Sequence, residues 1–109
     1  MSWTVKYLNE AWEDLDDLDG SPKRLALKAI EKVKANPLPA TEGGLGKPLG
    51  NKCGNDLTGF LKIKLRSTGI RVVYKVVRQE DEMIVIVIGA RADEEAYDIT
   101  RQRIIKYNL

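Results

Sequence analysis

The stretch Phe60-Leu61-Lys62-Ile63-Lys64-Leu65-Arg66-Ser67-Thr68-Gly69-Ile70-Arg71-Val72-Val73-Tyr74-Lys75-Val76-Val77-Arg78 alternates twice with a period of two. In its first half Leu61, Ile63 and Leu65 share one face, opposite Phe60, Lys62, Lys64 and Arg66. In its second half Ile70, Val72, Tyr74 and Val76 oppose Arg71, Val73, Lys75 and Val77. Period two is the signature of strands with one buried face, and Ser67-Thr68-Gly69 supplies the turn between them. Register follows from matching the apolar rows: Leu65 pairs with Ile70, which sets Lys64 opposite Arg71 and Lys62 opposite Val73. A slip of one residue would place Arg71 and Lys75 among the leucines, at a cost on the order of several kcal/mol. The favoured register therefore gathers Lys62, Lys64, Arg66 and Arg71 on one face. Like charges directly across strands repel, so such a cluster points to an anion held against it.

Working outward, residues 83–88 are apolar throughout, as in a central strand covered on both faces. Asp93 then caps a last helix with Glu94 and Glu95 in its first turns and Arg101, Arg103 and Lys106 in its last, the arrangement the helix dipole favours. Upstream, residues 3–8 alternate as a short strand. Asn9 is placed to cap a helix over 10–19, with Trp12, Leu15 and Leu18 on one stripe and Gly20 at its end. Ser21 and Pro22 restart the chain as cap and first helical residue. That second helix runs to about residue 36 and buries Leu25, Ala26, Ala29, Ile30 and Val33. Pro37, Pro39, Gly43, Gly44, Gly46 and Pro48 then make a long irregular connection. The expected fold is α+β: a small antiparallel sheet with an N-terminal helical hairpin and a C-terminal helix. The order is strand, two helices, three strands, one helix, in one domain over 1–109.

Composition narrows the chemistry. The 109 residues are 43% hydrophobic and 31% charged, the profile of a soluble globular chain. The longest apolar run is far short of a membrane span, no signal peptide opens the chain, and one cysteine fits a reducing cytoplasm. Histidine is absent, which removes His-based triads, histidine metal sites and the two-histidine route to RNA cleavage. The net charge of +2 is a cancellation: residues 1–20 carry −5, residues 79–98 carry −6, and residues 45–78 carry +7. A local +7 attracts a polyanion whatever the total. Other features lead nowhere. The glycines around Lys47 lack the spacing of a phosphate loop, and Cys53 reads as a bystander. Glu13, Asp14, Asp16, Asp17 and Asp19 wind around a helix as a solvated face, and Glu94 and Glu95 serve the helix dipole.

Residues 61–74 closely resemble the central hairpin of RelE-type toxins of bacterial and archaeal toxin–antitoxin pairs. Gly46-Lys47-Pro48-Leu49-Gly50 and Gly89-Ala90-Arg91-Ala92-Asp93-Glu94-Glu95-Ala96-Tyr97 also look like that family, and the element order matches its fold over essentially the whole chain. The resemblance implies a toxin that cuts messenger RNA in the ribosomal A site without metal, cofactor or histidine. It implies an antitoxin protein as partner and no membrane. Matched residue by residue, it places the site on Lys62, Lys64, Arg71, Arg91 and Tyr97, with Arg66 and Lys75 extending the RNA-binding face. Residues 3–48 match only in element order, so ribosome contacts there do not carry over.

The implied reaction is attack of a ribose 2′-hydroxyl on the adjacent phosphodiester, leaving a cyclic phosphate and a free 5′-hydroxyl. It needs a base at the 2′-oxygen, positive charge at the phosphate and stabilisation of the departing oxygen. Lys64 is the base under this reading, with Lys62 and Arg71 disfavouring its protonated form by like-charge repulsion and the incoming phosphate opposing them. Lys62 and Arg71 hold the phosphate. Arg91 stabilises the leaving oxygen, and Tyr97 is placed to stack on a splayed base. Two alternatives stand beside it: a ParE-like toxin that poisons gyrase, which lacks this basic and tyrosine set, and a non-catalytic nucleic-acid-binding module.

Overall fold

The computed structural model describes residues 3–52, 54–90 and 93–109. The chain begins with β1 (Thr4–Tyr7), α1 (Asn9–Asp16) and α2 (Gly20–Val33). It continues through β2 (Lys47–Lys52), β3 (Asn55–Leu65), β4 (Ile70–Val77) and β5 (Glu82–Gly89), and ends in α3 (Asp93–Tyr107). The sheet order is β1-β5-β4-β3-β2, with β1 parallel to β5 and every other pair antiparallel. Helices α1 and α2 cover one face through Ala11, Leu15, Ala26 and Ile30, which pack on Leu61, Val72, Tyr74 and Val85. Helix α3 covers the other through Tyr97 and Ile104, packed among Leu57, Phe60, Val73 and Val87. No helix of the described residues is long and apolar enough to cross a membrane.

The hairpin register is the expected one: Leu65 pairs with Ile70, Lys64 with Arg71 and Lys62 with Val73. Gly69, at φ +72°, gives the turn its left-handed residue. The apolar strand β5 lies inside the sheet, between β1 and β4, and is covered on both faces; it carries a bulge. Val73 pairs with Val87 and Tyr74 with Val85, so Ile86 has no opposite number. The extra residue turns Ile86 and Val87 toward α3 while Val85 and Ile88 face the helical hairpin.

Four elements differ from the sequence reading. Residues 47–52 form an edge strand where an irregular connection is expected, and β3 starts at Asn55 rather than Phe60. Pro48 is tolerated there because an edge strand has a free side for the missing N–H. Helix α1 stops at Asp16, and Gly20 already opens α2. Asp16, Asp17 and Asp19 gather at the negative end of the α1 dipole, which shortens the helix. Its buried side holds Ala11, Asp14 and Leu15, while Trp12, expected on the apolar stripe, is half exposed and stacks on Tyr7 with ring centres 4.0 Å apart.

The connection that precedes β2 is pinned to the core. The fully buried Tyr74 donates its hydroxyl to the Pro37 carbonyl at 2.7 Å, and burial pushes its phenol well above the ordinary value. A Cβ on Gly46 would stand 2.1 Å from that hydroxyl oxygen, so only glycine fits against it.

Candidate functional site

The two sheet rows that build the site follow from the register. One runs Lys47, Lys62, Val73, Val87, and the next runs Lys64, Arg71, Gly89. Cross-strand partners share a face, so Lys47, Lys62, Lys64 and Arg71 stand together beside α3. Lys47 was not among the candidates from sequence, because the strand that aligns it with Lys62 was not legible. Its signal was its position inside the +7 stretch.

Each predicted cation has a distinct setting. Lys62 is half-buried, and its Nζ donates to the Tyr97 hydroxyl at 2.9 Å. Lys64 and Arg66 are exposed at the open end of the hairpin. Arg71 is half-buried, with Nη1 donating to the Gly69 carbonyl at 3.2 Å, which holds the guanidinium beside the turn. Lys75 sits further down β4, where its Nζ donates to the Leu109 main-chain oxygen at 3.1 Å and lies 6.0 Å from the Phe60 ring centre. That places Lys75 on the same face but past Phe60, away from the Lys64–Arg71 pair. Arg91 lies outside the described residues, as does Cys53; the nearest described neighbour of Arg91 in β5 is Gly89, the partner of Arg71.

Tyr97 departs from its expected use. Only 2% of it is exposed, and its ring is enclosed by Leu57, Phe60, Val73 and Val87. The ring is therefore packing, and what it presents to the site is the hydroxyl against Lys62. No stacking face is open to a base.

The orientation of Tyr97 depends on how α3 is docked. Asp14, expected on a solvated face, is buried, and Arg103 meets it through two bonds of 2.6 and 3.2 Å. The same pair caps the outer edge of β5 beyond the end of β1. Arg103 Nη1 donates to the Ile86 carbonyl at 2.8 Å, and the Ile88 N–H donates to Asp14 Oδ2 at 3.1 Å. The bulge at Ile86 exposes these groups, and the ion pair satisfies them as a neighbouring strand would. One turn further along α3, Lys106 and Tyr107 both donate to Glu10, and these bonds, Lys106 foremost, hold its carboxyl down at about 2.

Chemically, the face concentrates positive charge from Lys47, Lys62, Lys64 and Arg71. Among the described residues neither Lys64 nor Arg66 has an ion pair or side-chain hydrogen bond. Among those residues, too, no three His, Cys, Asp or Glu side chains converge. A lysine amine stands directly across from a guanidinium, an arrangement chemically able to bind an anion.

No protein-family model matches the sequence. It is 28% identical over 104 residues to a RelE-like toxin protein of Escherichia coli, covering 94% of this chain and 98% of that protein. Among solved structures, a doubly substituted form of the Escherichia coli toxin RelE in the free state superposes with a TM-score of 0.74 at 25% identity, over 95% of this chain and 99% of that one. The toxin in the Escherichia coli RelBE toxin–antitoxin complex gives 0.63 at 23% identity over 84% and 99%. The archaeal RelE–RelB complex of Pyrococcus horikoshii gives 0.57 at 16% identity over 85% and 99%, a likeness of fold.

Proposed function

From the premise that the chain is RelE-type in sequence and fold, we propose that it is the toxin of a type II toxin–antitoxin pair, an endoribonuclease that cuts messenger RNA in the ribosomal A site in the cytoplasm. The observation that carries this reading is the row in which Lys64 faces Arg71, flanked by Lys62 on the Tyr97 hydroxyl. Lys64 takes the proton of the ribose 2′-hydroxyl as that oxygen attacks phosphorus. The bond from phosphorus to the 5′-oxygen breaks, giving a 2′,3′-cyclic phosphate and a 5′-hydroxyl. The departing oxygen takes its proton from the solvent that reaches this face, with Arg91 supplying positive charge. Arg71 and Lys62 neutralise the phosphoryl oxygens, the guanidinium by its two-pronged geometry. Tyr97 fixes the Lys62 ammonium, so positioning precedes substrate binding. Arg66 and Lys75 bind flanking backbone.

The partner proposed is an antitoxin that lays acidic side chains along the basic face or displaces α3. Solved RelE–RelB complexes support that class of partner. The test is expression in bacteria with primer extension on translated message. Wild type should arrest growth and leave cuts at codon positions, and Lys64→Ala should do neither while remaining folded. Cleavage by Lys64→Ala at the wild-type rate would overturn the reading. Inhibition of supercoiling without cuts would replace it with the ParE-like alternative.

A further inference from the structure

Strand β3 and helix α3 meet at the Lys62–Tyr97 contact, and they are joined again at the other end of the strand. Asn55, the first residue of β3, donates its Nδ2 to Asp98 Oδ1 at 2.8 Å, and Asp98 directly follows Tyr97 on α3. Next along the strand, Asp56 Oδ1 accepts from the Thr58 hydroxyl at 2.7 Å and from the Thr58 N–H at 3.2 Å. With that side chain engaged locally, the Asp56 carbonyl faces Arg101 Nη1 at 3.5 Å. Leu57, fully buried, then packs in the cluster that encloses the Tyr97 ring. Residues 55–57 thus grip the single turn of α3 that starts at Tyr97.

β3 is built in two pieces. Gly50 of β2 pairs with Leu57 and Pro48 pairs with Leu61, so residues 58–60 stand opposite Leu49 alone. This bulge puts Leu57 and Phe60 on the same face, and Gly59 absorbs the turn at φ +92°. Beyond it the strand resumes regular pairing, with Lys62 opposite Val73 and Lys64 opposite Arg71. One piece holds the helix and the other presents the cations. Apolar packing around the Tyr97 ring is non-directional and does not by itself set where the helix stops along its axis. A hydrogen bond is directional. The Asn55–Asp98 bond lies next to Tyr97 in the chain, whereas the Arg103 contacts lie six residues on, about 9 Å along the axis. The circuit Lys62, bulge, Asn55, Asp98, Tyr97 closes on the 2.9 Å bond between the ammonium and the phenol.

We infer that Asn55 and Asp98 are positioning residues: their bond fixes α3 along its axis so that the Tyr97 hydroxyl meets the Lys62 ammonium. The inference rests on the cleavage reading for its effect on rate, and it extends the machinery of that reaction to the opposite end of β3. Both groups lie at the surface, so alanine at either position breaks the bond without stranding a buried charge.

The test compares Asn55→Ala, Asp98→Ala and the reciprocal exchange of Asn55→Asp with Asp98→Asn, in which amide and carboxylate trade places and the bond survives. Single-turnover cleavage of translated message is measured for each, alone and combined with Tyr97→Phe. Each protein is also labelled with fluorotyrosine, and the fluorine resonance of Tyr97 is assigned by its loss in Tyr97→Phe. Either alanine should shift that resonance and slow cleavage about five-fold, the worth of one hydrogen bond, with the half-saturating ribosome concentration unchanged. The exchange should recover both the rate and the wild-type resonance. Added to Tyr97→Phe, Asn55→Ala should slow cleavage no further, because the hydroxyl it positions is gone. A wild-type rate in Asn55→Ala, or an unmoved resonance, overturns the inference. An equal further loss in the Tyr97→Phe background also overturns it, since that marks a general loosening of α3. A wild type that cuts no message removes the cleavage reading. The resonance then decides the clamp alone: movement in both alanine variants with return in the exchange upholds it, and anything else overturns it.

Discussion

Replacing Asp14 by alanine should unfold this protein more readily than any exposed acidic substitution in α1. Asp14 is 6% exposed and its side chain accepts from both Arg103 and the Ile88 N–H. Its removal strands a guanidinium whose side chain is 13% exposed and an edge N–H of β5. Breaking one partner of a buried pair costs about 3–5 kcal/mol. Because Arg103 keeps a sliver of solvent contact and still donates to the Ile86 carbonyl, the lower end applies, about 3 kcal/mol. In a domain of this size that lowers the melting temperature by about 12 °C. The assay is urea unfolding followed by tryptophan fluorescence on Asp14→Ala, Arg103→Met and the double variant. Losing both charges removes the stranded ion, so the double variant should be about 2 kcal/mol more stable than the summed single effects. A cost below about 1 kcal/mol for Asp14→Ala, or strict additivity, would refute the account of this pair as the clasp of α3.

Three further outcomes follow from the geometry. Tyr97→Phe keeps the packed ring and loses the Lys62 bond, so stability should change by about 1 kcal/mol while single-turnover cleavage falls about ten-fold; unaltered cleavage would deny the hydroxyl a positioning role. Gly46→Ala drives a Cβ to 2.1 Å from the Tyr74 oxygen and should cost about 1–3 kcal/mol as overpacking, most of it recovered when Tyr74→Phe is added, as thermal melts would reveal. Glu10 titrates near 2 in the folded chain against an ordinary 4.5, so its stabilising contribution is complete above 4.5 and disappears as pH falls toward 2. Unfolding midpoints across that window should drop more steeply for the wild type than for Glu10→Gln.

The hairpin was legible because its alternation is strict and its charges make every other register costly. Lys64 opposite Arg71 follows from that alone. β2 was not legible because proline and glycines suppress the strand pattern, and pairing along an edge is a tertiary fact. Lys47 was hidden with it. Asp14 reads as one acid in an acidic run, and nothing local marks which member will meet an arginine 89 residues later. Tyr97 was found by resemblance, yet its burial depends on the β5 bulge that turns Ile86 and Val87 toward α3, which a uniformly apolar strand does not advertise.

The attachment of α3 has a consequence for how the molecule is made. Synthesis runs from the N-terminus, so Lys62, Lys64 and Arg71 leave the exit tunnel before Tyr97 and Arg103. Until α3 emerges, the Lys62 ammonium lacks its hydroxyl partner and the carbonyl of Ile86 lacks its donor. A nascent chain carries the cations but not their alignment. The site is completed only once α3 has been made, by the same helix whose far turns reach back to Glu10 and Asp14.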